Sequence, residues 1–295
     1  MKNFNEIRNV VQKYGLKPAT QRELPLLTLS CIARGHTSLR GILGFSYEAI
    51  AAIGGEGKFH SLLNEEYAAK ETGVFVEKNK EKIGKIAFAK VKQIYSNISS
   101  KITKIESISK NNSQKCLEII VNLYPEYMLG LGICNCFLRY IGNDINKSKL
   151  TPADIAIIST EREKIAKLYP RIEEIIKTTC KLIGEEMKFD GDILRYFTLA
   201  EINHFLKKND LSKKTLKELN LRRKGYFYLY IENENEEIIL NQAIINKIKE
   251  QYFAVDSAGI KEIKGSVAFG GNATREVFNL QNHTLADSKK FKDGN

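Results

Sequence analysis

An isoleucine stripe constrains this chain more than any other feature. Ile83, Ala87, Val91, Ile94, Ile98, Ile102 and Ile105 recur at steps of three and four, the spacing that collects side chains on one face of an α-helix. Lys82, Lys85, Lys92, Lys101 and Lys104 fall off that stripe. So long an amphipathic helix needs other helices to cover its apolar face, so the chain must fold as a multi-helix body. A basic amphipathic helix also suits an anionic membrane surface, but a β-branched stripe without Trp or Phe anchors favours core packing. The helical pattern extends from Phe59 to Ile108, with one break predicted near Gly73.

The segment KNNSQ at 110–114 reads as a loop, and Cys116 to Tyr140 resumes as an apolar helix loosened by Gly130 and Gly132. Pro125 within it predicts a kink or a break, because proline removes a backbone donor and clashes with the preceding turn. Thr151-Pro152 with Asp154 predicts a helix start, running toward Gly184 with Pro170 as its weak point. Thr198-Leu-Ala-Glu201 has capping-box spacing, which gives Glu201 a structural task that competes with any catalytic one. After Arg222-Arg223-Lys224 the period shifts toward two. Tyr226–Ile231 and Glu237–Leu240 read as two strands around a turn at Asn233-Glu-Asn235, and Asn241–Phe253 reads as one more helix. A boundary is placed near residue 258, where glycine-punctuated apolar runs begin.

The five cysteines, Cys31, Cys116, Cys134, Cys136 and Cys180, are scattered and odd in number, which fits a reducing compartment better than a disulfide framework. Buried thiols are favoured over metal ligation at Cys134-x-Cys136, since structural zinc takes four ligands. No apolar run reads as long enough to span a bilayer, and the start MKNFNEIRNVVQKYG lacks a signal-peptide core. A cytoplasmic protein with no membrane association is expected. The formal net charge is +11, carried mostly by dispersed lysines. That suits a solvated surface, and nucleic acid is the less favoured partner because no element interleaves arginines with aromatics.

Few motifs carry chemistry. The chain has four histidines and no HExxH. Gly54-Gly-Glu-Gly57-Lys58 fails the phosphate-loop pattern, since Ala52 stands where a glycine is needed and Phe59 follows the lysine, and it reads as a helix-ending loop. Arg34-Gly-His36-Thr-Ser-Leu-Arg40 gathers two guanidiniums, an imidazole and two hydroxyls between expected helices, a composition able to hold phosphate or carboxylate.

Ile263-Lys-Gly265-Ser-Val-Ala268-Phe-Gly-Gly271-Asn-Ala-Thr-Arg275-Glu-Val277, followed by Lys290, Phe291 and Gly294, resembles the opening of the swivelling phosphohistidine domain of phosphoenolpyruvate-utilising enzymes. That family includes phosphoenolpyruvate synthase, pyruvate phosphate dikinase and rifampicin phosphotransferase. Lys264, Gly265, Ala268 and Gly271 match its Lys-Gly-x-x-Ala-Ser-x-Gly stretch. Phe269 replaces a small residue and Arg275 a usual glycine. Gln21-Arg22-Glu-Leu-Pro, the run from Glu161 to Gly184, Tyr196–Ile202 and Leu221-Arg222-Arg223 resemble the helical region that precedes that domain.

The periodicity gives a mainly α protein, with a helical domain at 1–224 and a connecting hairpin plus helix at 225–258, and the resemblance implies an incomplete α/β swivelling domain at 259–295. The family's phosphoryl-carrying histidine lies downstream of these motifs. The expectation is therefore a helical, substrate-side or linker portion of a phosphotransferase, inactive alone, with no catalytic residue and no metal ligand of its own. ATP and Mg²⁺ are implied for a complete enzyme, together with a downstream segment or partner chain bearing the phosphohistidine. Arg22, His36, Arg40 and Arg222 are the candidates for contact with a phosphorylated or anionic small molecule; a helix C-terminal cap is the structural alternative for Arg222. The competing reading is a non-catalytic basic helical module that binds RNA or an acidic protein.

Overall fold

The isoleucine stripe forms one face of α5 (Ala89–Ile108) and the π-helical turn Gly84–Phe88 that leads into it. In the computed structural model every stripe residue is buried, none more than 2 % exposed, while the five off-stripe lysines face outward. Residues 2–108, 112–143, 149–208, 210–234 and 236–253 are described, and all lie in the compact unit Met1–Ala254. The expected boundary near 258 and segment 259–295, with the swivelling-domain motifs, lie outside the described residues. The fold is mainly α with a small antiparallel sheet.

The predicted break at Gly73 is absent. α4 (Glu65–Asn79) runs through it, because Gly73 lets the helix approach the Tyr140 ring: a Cβ there would lie 3.1 Å from it. The interruption comes at residues 80–82. Of the kink or break predicted at Pro125, the break is absent, since α6 (Ser113–Asn143) continues through the proline. α6 is the central helix, in contact with α2 (Leu26–Thr37), α4, α5, α7 (Pro152–Ala166) and α8 (Tyr169–Met187). By length and composition it is apolar enough to cross a membrane, with a mean hydropathy of 1.2, contrary to the expectation from the sequence. However, 67 % of that stretch is buried inside the fold.

The helix starts fall where the caps predict. Thr151 and Asp154 form a capping box with Pro152 in the first turn of α7. Pro170 lies in the first turn of α8, after a break at 167–168. Thr198 and Glu201 close the capping box of α9 (Leu199–Lys208), which α10 (Lys213–Lys224) follows.

The sheet is larger than the predicted hairpin. β1 (Lys17–Arg22), β2 (Ala49–Gly55), β3 (Lys58–Leu63), β4 (Tyr226–Ile231) and β5 (Glu237–Ile239) pair antiparallel in the order β1-β3-β2-β4-β5. β4 and β5 are the expected hairpin, with Asn233 at φ 68° in its turn. The other strands replace the start of the helical pattern at Phe59 and the helix-ending loop at Gly54–Lys58. That loop is the β2–β3 turn, where Glu56 and Gly57 have φ of 51° and 77°. Because β4 pairs with β2, residues 225–253 are part of the same unit as the helices, not a connection after it.

Both faces of the central strands are covered. Ile50, Ala52, Tyr226, Tyr228 and Tyr230 join the helical core. Ala51, Ile53, Phe227 and Leu229 pack with Ile7 and Val11 of α1 (Phe4–Lys13) and Ile245 and Ile248 of α11 (Gln242–Tyr252).

Candidate anion-binding site

The segment from Arg34 to Arg40 is not a loop. Arg34 and His36 belong to α2, and Arg40 opens the short helix α3 (Arg40–Leu43). α2 meets α6 closely at Gly35, where a Cβ would fall 2.6 Å from Met128 Cβ and 2.8 Å from the Pro125 carbonyl oxygen. This crossing brings the His36 imidazole against Gly132, whose missing side chain leaves room for it. The ring stacks on Tyr47 at 4.7 Å between centroids.

His36 thereby lines a cavity of about 540 Å³ walled by β1, β3, α2, α6, α7 and α8, a volume in the range of small-molecule sites. Arg22, at the end of β1, lines the same cavity, with Asn135 and Arg139 from α6 and Arg162 from α7. Leu24, Ile32, Phe59, Met128 and Leu131 supply apolar wall, and Glu23 contributes one carboxylate.

The three guanidiniums differ in occupancy. Arg139 donates to Glu65 and, at 3.1 Å, to the Tyr47 hydroxyl. Among the described residues Arg162 donates only to the Asn135 side-chain oxygen at 3.2 Å, and Arg22 makes a 3.4 Å contact with the neighbouring Gln21 carbonyl. Neither Arg22 nor Arg162 has an ion-pair partner among the described residues. Two charges with open donor positions beside an apolar wall suit an anion, and the guanidinium fork matches phosphate and carboxylate geometry.

The polar atoms of the wall are under-used as well. His36 Nδ1 and Tyr127 Oη are buried without a hydrogen-bond partner, and each such orphan costs about 1–3 kcal/mol. Burial, reinforced by the Arg139 charge, lowers the His36 pKa to about 3, so the imidazole is neutral near pH 7. Burial also raises the Tyr127 and Tyr169 hydroxyls above their ordinary range, with nearby Glu173 adding to the effect. Both hydroxyls keep their protons and remain donors.

The other two candidates do not join this cavity. Arg40 donates to both carboxylate oxygens of Glu232, at 3.1 and 2.6 Å, and to Ser46 at 2.9 Å. Those hydrogen bonds hold Glu232 below the usual carboxylate range. Arg222 is buried, and its guanidinium meets Glu201, Glu218 and the Tyr196 carbonyl. The protein's own carboxylates thus occupy both guanidiniums. Arg222 sits in the last turn of α10 but clamps α9 to it instead of capping its own helix.

All five cysteines are free and buried. Burial raises the Cys134 thiol to about 12 and the Cys136 thiol to about 11, and residues two apart on a helix point to different faces. No group of His, Cys, Asp or Glu side chains suited to a metal ion occurs among the described residues.

Arg139, Arg162, Asn135 and Tyr127 are site residues that the sequence did not single out. One signal was available, an arginine inside the most apolar helix. The chain matches no protein-family model, and no characterised protein and no solved structure matches it.

Proposed function

We propose that this body is the substrate-side portion of a phosphoenolpyruvate synthase-like phosphotransferase, and that it holds a phosphorylated or anionic small molecule in the cavity between the sheet and α6. One observation carries the reading. Arg22 and His36, from separate motifs, line one cavity with Arg162, and Arg22 and Arg162 have no carboxylate partner among the described residues. The motifs at 263–294 add the family resemblance. In this reading the protein works in the cytoplasm, and a histidine on a downstream segment or a partner chain carries the phosphoryl group. The body's own part is to bind and orient the acceptor, which lowers the entropic cost of transfer.

The test is incubation of the purified chain with γ- or β-labelled ATP, and separately with labelled phosphoenolpyruvate, in the presence of Mg²⁺, alongside calorimetric titration with inorganic phosphate. The reading predicts saturable phosphate binding that Arg162→Ala weakens, and no acid-labile phosphohistidine. Robust self-labelling would overturn it. So would polyanion binding that collapses steeply with salt in the absence of phosphate binding, the behaviour of a lysine surface reading RNA or an acidic protein.

A further inference from the structure

The cavity is not shaped for a bare phosphate. An inorganic anion needs only the guanidiniums, yet most of the wall is hydrocarbon: Leu24, Ile32, Phe59, Met128 and Leu131 line the space that Arg22 and Arg162 border. Its volume of about 540 Å³ far exceeds that of a phosphate ion and accommodates a ring-sized body. Exposed apolar wall is wasted unless a ligand displaces water from it.

We infer that the ligand is an organic anion of amphiphilic class, with a phosphate or carboxylate held by Arg22 and Arg162 and a ring-sized apolar body seated against Phe59, Met128 and Leu131. The inference rests on the reading of the cavity as an anion site and adds what the anion is attached to. Charge complementarity agrees. Arg139 is neutralised by Glu65, so the open charges are Arg22 and Arg162 against the single Glu23, a net positive rim.

The experiment is isothermal titration calorimetry of the full chain at fixed ionic strength with three probes: inorganic phosphate, phenyl phosphate and benzoate. The wild type is compared with the Arg22→Ala/Arg162→Ala double variant. Both arginines are exposed and make no ion pair among the described residues, and thermal unfolding confirms that the double variant folds. Phenyl phosphate should bind at least about tenfold more tightly than phosphate, since burying a ring contributes that much or more. The double variant should lose at least about tenfold of that affinity. Whichever of phenyl phosphate and benzoate binds more tightly identifies the headgroup.

Equal binding of phosphate and phenyl phosphate would overturn the amphiphilic inference and leave the anion site standing. Phenyl phosphate binding that the double variant leaves intact would place the ligand elsewhere and overturn it too. Failure of every probe to bind would remove both the inference and the reading beneath it.

Discussion

Replacing Arg222 separates a structural arginine from a ligand-binding one. Its side chain is 5 % exposed, and it donates to Glu201 at 2.6 and 2.8 Å, to Glu218, and to the Tyr196 carbonyl at 3.3 Å. Breaking a fully buried ion pair costs about 3–5 kcal/mol. Here the carboxylates are 38 % and 46 % exposed, so water re-solvates them once the arginine is gone, and the expected loss for Arg222→Ala is about 2–4 kcal/mol. At about 2–4 °C per kcal/mol for a body of this size, the melting temperature should fall by roughly 4–16 °C. Burial, the largest single influence, would raise the Glu201 pKa, but the Arg222 hydrogen bonds and charge together with the Thr198 hydrogen bonds outweigh it and hold the group below its usual 4.5. A carboxylate with a depressed folded pKa contributes stability above its unfolded pKa and loses it as pH falls through the folded value. The wild type should therefore lose this increment below about pH 4.5, and the variant should not. Calorimetric melting between pH 3 and 7 reads both effects, and titration with phenyl phosphate at pH 7 should show unchanged affinity. A shift under about 2 °C accompanied by loss of anion binding would refute the clamp and return Arg222 to the ligand-binding candidates.

Three further perturbations follow. His36→Phe should flatten the acid limb of the stability profile: with a folded pKa near 3 against 6.5 unfolded, His36 costs the wild type about 2 kcal/mol at pH 5, a penalty that grows as pH falls from 6.5 toward 3. Urea titrations at pH 5 and 7 measure it, and identical pH dependence in both proteins would contradict it. Thr151→Ala removes the side-chain acceptor for the Asp154 backbone N–H and should cost about 1 kcal/mol by urea denaturation; no loss would show that α7 does not depend on its cap. Gly35→Ala gains about 1 kcal/mol of helix propensity but forces α2 off α6 at contacts of 2.6–2.8 Å, so it should destabilise by about 1–3 kcal/mol net and weaken phenyl phosphate binding by displacing His36. A stabilised variant with intact binding would contradict that crossing.

Local chemistry was legible where a side chain acts on its own neighbourhood. The stripe from Ile83 to Ile105, the caps at Thr151 and Thr198 and the Tyr226–Ile239 hairpin all follow from spacing and residue type. The first three strands did not. β2 reads AIAAIGG and is covered on both faces, so it lacks the alternation that marks a half-buried strand. β1 reads KPATQR, a polar edge strand whose proline argues against a strand. Pro125 and Gly73 look like breaks in one dimension, but packing against α2 and Tyr140 holds the helices together. Of the candidates, Arg22 and His36 share a cavity, whereas Arg40 and Arg222 are claimed by carboxylates 192 and 21 residues away in the chain. Such pairings are fixed only by the tertiary fold. So is the convergence of Arg139 and Arg162 on the cavity.

The most direct test is to soak crystals of the protein with tungstate, a phosphate-like anion with a strong anomalous signal, and to locate it in an anomalous difference map. The account predicts a peak between the Arg22 and Arg162 guanidiniums, lost in the Arg162→Ala protein. Peaks confined to Arg40, Arg222 or the surface lysines, with none in the cavity, would contradict it.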